Sequence, residues 1–232
     1  MGAVVFTASL VACAQAVQSE TASSASATTA KAASAPAASA EKMMDKQKTE
    51  KREGPLAIGA SMVMVDAMMK NVDDQMVSLA KAKGAKGTLV IFSCNHCPYV
   101  KAWEARIAKS GNAAQKMGFG VVAINANDPQ PYPEDGFDEM KARAKKLGFE
   151  FPYVVDETSN VARAFGATKT PEVFLFDADD KLVYYGAVDD NYRDAEQVER
   201  HYLDEALKAV AGGQPVPKAV TKALGCSIKY RS

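Results

Sequence analysis

The sequence lacks an excess of charge of either sign. Its 232 residues carry 28 Lys+Arg against 28 Asp+Glu. No surplus of cations is available to replace counterions on phosphates, so the electrostatic case for nucleic acid falls away. No run of about 18 or more apolar residues occurs, which argues against a membrane-spanning helix. Cysteine is scarce. Four cysteines are too few for a disulfide scaffold but enough for a redox or metal site. No internal repeat is visible. What is present, 47% hydrophobic and 24% charged residues, is ordinary globular composition. The length allows one domain of ordinary size, or at most two small ones.

The first segment, 1–13, has the length and apolar run of a signal peptide rather than of a membrane span, although its n-region has no Lys or Arg. It ends in Leu10-Val11-Ala12-Cys13, which resembles the lipobox of bacterial lipoproteins. The resemblance implies that Cys13 becomes the acylated N-terminus. Ala14 after it implies sorting to the outer membrane, on the periplasmic side of the bacterial envelope. Several chains on one cysteine anchor stably, because each buried CH₂ contributes about 0.8 kcal/mol. A mis-assigned start codon with an ordinary signal peptide is the alternative. From Ala14 to Ala40 no large apolar side chain appears, so nothing offsets the ordering entropy of packing. Glu41 to Glu53 is charged with mixed sign, and reads as either more spacer or a short exposed helix. Residues 14–54 therefore read as a disordered tether, whose coil of about 40 residues spans roughly 35 Å.

Residues 55–232 alternate strand and helix signals. Thr88–Phe92 and Phe119–Ile124 are apolar and β-branched, as buried central strands are. Pro98–Lys109, Asp138–Leu147, Ser159–Phe165 and Asp194–Val210 read as helices, with Ser159 as an N-cap and Gly148, Gly166 and Gly212-Gly213 as stops. Tyr153–Val155 is a short strand. Val173–Phe176 and Leu182–Tyr185 form a hairpin across Asp177–Asp180. Ser61–Leu79 supplies one more hairpin. Strands separated by helices predict an α/β fold with a parallel sheet, and the closing hairpin makes that sheet mixed.

The chemistry is expected at Cys94-Asn95-His96-Cys97-Pro98. A thiol at a helix N-terminus faces unpaired N–H groups and the positive end of the macrodipole, which favours the nucleophilic thiolate. The C-x-x-C spacing lets the second sulfur resolve a mixed disulfide on the first. Cys94 is expected to be the exposed attacker and Cys97 the resolver. Pro98 fits the first helical turn. His96 between the sulfurs, if protonated, stabilises the thiolate and pushes the couple toward oxidising character.

Thr170-Pro171 precedes a strand, Glu172 to Phe176. Strand, C-x-x-C, helix, Thr-Pro, hairpin and final helix is the order of the thioredoxin fold. The chain is closer still to the redoxin branch, the alkyl hydroperoxide reductase/thiol-specific antioxidant superfamily. It resembles that branch in Cys94-Asn95-His96-Cys97-Pro98-Tyr99-Val100-Lys101, in Ile124–Asp128, in Tyr132-Pro133-Glu134-Asp135, in Thr170–Asp177 and in the tail Gly225-Cys226-Ser227-Ile228-Lys229. The resemblance implies a central mixed β-sheet flanked by helices, a cis Pro171 packed beside Cys94, and a Thr170 backbone that pairs with substrate. Three departures stand out. Phe92-Ser93 replaces the tryptophan that precedes the first cysteine in tethered reductants. Ile91 stands where a peroxidatic cysteine has its Thr or Ser. Thr88–Phe92 contains no acid to move protons, which leaves Lys101, Glu104 or Asp156 as substitutes.

The expected function is exported thiol–disulfide exchange with protein thiols or disulfides, by a monomer fed by an upstream thiol carrier. It uses no cofactor and no metal, and touches the membrane through the lipid anchor only. Hydroperoxide reduction is one rival, set back by Ile91. A copper metallochaperone using Cys94, Cys97 and His96 is another, although a structural zinc site would need a second ligand pair and only Cys226, His96 and His201 remain. A non-catalytic envelope binding module that keeps the fold is a third. Cys226 is the odd thiol once Cys13 is acylated, and is either a third redox partner, an intermolecular link or inert. Trp103 reads as core, and the Met62/Met64 alternation as a packed strand. The Asp128–Gly136 loop, with three prolines, is placed where it could border the active site.

Overall fold

Strand β3 (Thr88–Phe92) is buried at every position, and its alternate side chains feed two separate cores. Leu89 and Ile91 point to one face of the sheet, with Trp103, Ile107, Leu203 and Leu207. Val90 and Phe92 point to the other, with Phe165, Phe174 and Phe176. A strand covered on both faces needs apolar residues throughout, which is why TLVIF shows no alternation. The computed structural model describes residues 54–231 and Gly2. Apart from Gly2, the segment 1–13 expected to be a signal peptide, with Cys13, and the expected tether up to residue 53 lie outside the described residues.

Around β3 the described chain builds a seven-stranded sheet in the order β2-β1-β5-β4-β3-β7-β8. The strands are β1 (Met69–Asn71), β2 (Met76–Val77), β4 (Gly120–Asn125), β5 (Tyr153–Val155), β7 (Glu172–Phe176) and β8 (Leu182–Gly186). β3, β4 and β5 run parallel. β7 is antiparallel to β3, with Phe92 opposite Glu172, and β1 is antiparallel to β5. The helices are α1 (Leu79–Ala82), α2 (Pro98–Lys116), α3 (Phe137–Leu147), α4 (Asn160–Phe165) and α5 (Tyr202–Ala211). Two short strands, β6 (Lys169–Thr170) and β9 (Cys226–Ser227), form a separate antiparallel pair. This is the expected mixed sheet flanked by helices, the thioredoxin fold. Trp103 is wholly buried, and its indole N–H donates to Asp189 at 2.7 Å.

Four local expectations are corrected. Helix α2 runs past Lys109 to Lys116. Ser110 and Gly111 look like a stop, but the Ser110 hydroxyl donates to Asp204 at 2.6 Å. A Cβ on Gly111 would lie 2.3 Å from the Phe151 ring, so glycine is there for packing. The helix expected over Asp194–Val210 is instead a 3-10 turn at Ala195–Gln197 followed by α5. The Asp190 carboxylate takes the N–H groups of Glu199 and Arg200, which holds that stretch off the helix. His201 is thereby the exposed N-cap of α5 rather than a residue within it. Ser159 does not cap α4. It is left-handed (φ 54°), and its hydroxyl donates to Ala126, while Asp156 accepts the Ala162 N–H. Finally, Met62 and Met64 lie in irregular chain rather than in a strand.

Filling the space over Gly111 tests the packing argument. Gly111→Val is expected to destabilise the protein by about 1–3 kcal/mol, the usual range for overpacking. A lowered urea midpoint with an unchanged m-value would register it.

Candidate active site

The two cysteines sit where β3 ends and α2 begins. The sheet holds the first side of this turn through the Ser93 N–H, which donates to Ile124 at 2.8 Å. The helix holds the other, with Cys97 as N-cap and Pro98 opening α2. Between them the loop after β4 closes over the turn. Asp135 is fully buried in that loop. Its carboxylate accepts the N–H of Asn95 at 2.6 Å and of His96 at 3.1 Å, the Asn127 amide at 2.8 Å, and faces His96 Nδ1 at 2.6 Å. A buried carboxylate needs such donors to offset its lost hydration. The Asn95 side chain extends the clamp, donating to Glu134 and accepting from the buried Tyr153 hydroxyl at 3.0 Å. Arg143, paired with Glu104, donates to the Asn95 carbonyl at 3.0 Å.

The sulfurs meet Thr170. Cys94 Sγ lies 3.1 Å from Thr170 Oγ1, and the Cys97 thiol donates to the Thr170 carbonyl at 3.2 Å. The Thr170–Pro171 bond is cis, the isomer that the family resemblance implies. Glu172, buried at the start of β7, fixes this corner. It accepts the N–H groups of Thr168 (2.7 Å) and Lys169 (3.1 Å) and the Tyr185 hydroxyl (2.5 Å). Burial holds the Glu172 carboxyl above its ordinary pKa.

All three described cysteines are free thiols. Cys94 is 1% exposed and Cys97 0%, so the expectation of an exposed attacker is corrected. Cys226 packs against the cluster of Cys94, Cys97 and Val100, and the tail strand covers Thr170. The Cys94–Cys97 pair titrates as a unit. Its first negative charge is favoured at Cys97, pulled down to about 4 by hydrogen bonding from Cys94, then from Cys226 and the Val100 N–H at the helix start. Cys94 is pushed above the ordinary thiol range, first by that shared hydrogen bond, then by burial, then by the Asp135 charge.

His96 does not simply present a charge to the thiols. Its ring stacks on Tyr132 at 4.0 Å and turns Nδ1 to Asp135. Cys94, His96 and Asp135 bring potential ligand atoms within 4.8 Å of one another. His96 Nδ1 and Asp135 are hydrogen-bonded to each other at 2.6 Å, and a carboxylate is a poor partner for Cu(I). Of the substitute proton carriers, Glu104 shares a small cavity with Cys94, Arg143 and Tyr153. Asp156 is committed to the start of α4 and Lys101 is exposed.

Sequence reasoning missed Asp135, Asn95, Asn127 and Glu172 as site residues. The signals were there. Asp135 closes a loop with three prolines, and Glu172 is an acid opening an otherwise apolar strand. Both acids carry polar networks that only the folded chain assembles.

The Asp135 charge gives a sign that can be checked. In Cys97→Ser the remaining Cys94 is expected to titrate above the ordinary thiol range, because burial and Asp135 still act on it. Adding Asp135→Asn should bring its pKa down, read from the ultraviolet thiolate band.

Comparison with known proteins agrees with this geometry. The chain matches the model of the Redoxin family over residues 29–201. A solved structure of a conserved uncharacterised protein from Geobacillus kaustophilus is 38% identical, with a TM-score of 0.71 over 75% of this chain and 93% of that one. A hypothetical protein from Sinorhizobium meliloti is 32% identical, with a TM-score of 0.71 over 79% of this chain and all of that one. The thiol-disulfide oxidoreductase ResA of Halalkalibacterium halodurans is 24% identical over 119 residues, 51% of this chain and 63% of that protein's length. With the family model spanning most of the sequence, and the C-x-x-C turn, the Thr-Pro corner and the mixed sheet in place, the chain belongs to the Redoxin family.

Proposed function

We propose that this chain is a thiol–disulfide oxidoreductase of the bacterial envelope, working on protein thiols and disulfides through Cys94 and Cys97. The observation that carries the reading is the convergence of two free thiols on the backbone and hydroxyl of Thr170. In the reducing direction the Cys94 thiol passes its proton to the Cys97 thiolate and attacks a substrate disulfide. A Cys94–substrate S–S bond forms, and the first substrate sulfur leaves as a thiolate and takes that proton from Cys97. The Cys97 thiolate then attacks Cys94 Sγ, the Cys94–Cys97 bond closes, and the second substrate sulfur leaves. Two electrons pass to the substrate, and another thiol protein returns them. His96 and Asp135 position the turn, and Thr170 and Pro171 shape the wall that the substrate meets. The similarity to a protein named for this activity, over 119 residues, supports the same chemistry. Export and anchoring through Cys13 rest on the sequence of segment 1–13.

Hydroperoxide reduction is the second reading, because the hydroxyl missing at Ile91 is matched by Thr170 Oγ1, 3.1 Å from Cys94 Sγ. A peroxide-consumption assay coupled to a thiol reductant separates the two.

The deciding measurement is the equilibrium reduction potential of the Cys94–Cys97 couple in the full chain with Cys226→Ser, titrated against glutathione and dithiothreitol. A two-electron couple near about −120 mV makes the protein a disulfide donor, and one near about −270 mV a reductant. Failure of a Cys94–Cys97 disulfide to form at any poise overturns the reading. Cys94→Ser and Cys97→Ser are each expected to reduce catalysed insulin-disulfide reduction to the uncatalysed background.

A further inference from the structure

The C-terminal tail occupies the place that the family resemblance assigns to a substrate chain. Cys226 is the register partner of Thr170, and Ser227 of Lys169, in the β6–β9 pair. The approach is close enough to require glycine before it. A Cβ on Gly225 would lie 2.2 Å from the Thr170 carbonyl oxygen and 2.7 Å from its carbon. The tail is fastened beyond that point as well. Ile228 N–H donates to Thr168, Lys229 N–H to the Asn127 side chain, and Asp128 N–H to the Lys229 carbonyl. This strand therefore carries a cysteine, on a fixed backbone, to the cluster of Cys94, Cys97 and Val100.

We propose that Cys226 is a third redox-active thiol, which attacks Cys97 Sγ of the Cys94–Cys97 disulfide and moves the oxidised bond outward to a Cys97–Cys226 disulfide. The inference rests on the thiol–disulfide reading of Cys94 and Cys97. The step balances without an added oxidant or reductant. The Cys97–Cys226 bond forms as the Cys94–Cys97 bond breaks, and the proton lost by Cys226 ends on Cys94. No net electron moves, so the oxidising equivalent taken from the substrate is relocated.

Two features support this direction. Cys94 and Cys97 are buried, whereas Cys226 is half-buried beside the exposed Ser227. A protein thiol that regenerates the enzyme therefore finds a sulfur at Cys226 that it does not find at Cys94. In addition, Cys97 and Cys226 act on one another's ionisation. Burial and Cys97 push the Cys226 thiol up to about 11, while Lys229 and Lys169 pull toward its thiolate. Once Cys97 is in a disulfide its charge is gone, and the two lysines act on Cys226 unopposed by it. Cys226 becomes the better nucleophile in the state in which the relay needs it.

The test uses the full chain carrying Cys13→Ser, so that three of the four cysteines remain. The reduced protein is treated with oxidised glutathione, quenched in acid, and its linkages are mapped by proteolysis and mass spectrometry. With all three thiols present, both Cys94–Cys97 and Cys97–Cys226 linkages are expected. Cys94→Ser is expected to give the Cys97–Cys226 linkage, and Cys226→Ser the Cys94–Cys97 linkage. Gly225→Ala keeps every thiol but drives a Cβ into Thr170. It is expected to lose the Cys97–Cys226 linkage and keep the other. The relay is overturned if no Cys97–Cys226 linkage forms in the three-thiol protein or in Cys94→Ser while Cys226→Ser still closes Cys94–Cys97. The exchange reading then stands without it. If Cys226→Ser closes no bond either, the exchange reading fails and the relay fails with it.

Discussion

The site depends on one buried carboxylate. Asp135 has no contact with solvent, so its charge is tolerable only while the N–H groups around it stay in place. Two of those donors are the backbone amides of Asn95 and His96, the residues between the two cysteines. The C-x-x-C turn is thus tied to the loop after β4 by a group that cannot release it cheaply. The tie has an electrostatic consequence. The charge that shapes the turn also opposes a thiolate at Cys94. The helix N-terminus and the neighbouring thiols favour one at Cys97. His96, which by sequence alone would feed positive charge to the thiols, turns Nδ1 toward the same carboxylate.

Asn127 links this clamp to the tail. Its amide nitrogen donates to Asp135 and its amide oxygen accepts the Lys229 N–H at 2.8 Å. On the other flank Glu172 gathers the amides of Thr168 and Lys169, which sets the β6 edge that β9 pairs with. The thiols therefore lie between two carboxylate-organised corners, with the tail bridging them. Displacing the tail removes a partner from Asn127 and uncovers Thr170 in one movement. Access to the thiols and the order of the clamp are coupled through a single side chain.

Much of this was legible in the sequence. β3 and the C-x-x-C turn after it were readable because an apolar run followed by a helix start carries its own signal. The same is true of the β7–β8 hairpin and of α3, which ends at Gly148 as expected. What failed was local punctuation overridden by distant partners. Ser110 and Gly111 looked like the end of a helix until Asp204 and Phe151 supplied contacts. Asp194 to Val210 has helical periodicity, but Asp190 captured two of its amides. Ser159 looked like a cap, while its hydroxyl is used by Ala126 and Arg231. The role of Asp135 was illegible for the same reason. Its donors lie between 8 and 40 residues away, and no local pattern encodes such a meeting.

Burial of both thiols sets a condition on exchange that the tail satisfies. Thiol–disulfide exchange needs an attacking sulfur at the sulfur it displaces, and a buried disulfide excludes bulky attackers. Cys97 packs with both Cys94 and Cys226 in one cluster. Exchange centred on Cys97 therefore needs no opening of the pocket, because its nucleophile is already inside. Entry of a substrate at Cys94 does need an opening, since β9 stands on the Thr170 edge. The two half-reactions thus make opposite demands on the tail, displaced for substrate and seated for relay. The strand itself has only two residues, while the chain after it is fastened through Lys229, Tyr230 and Arg231. A longer strand would resist displacement, and an unpaired tail would not bring Cys226 to Cys97.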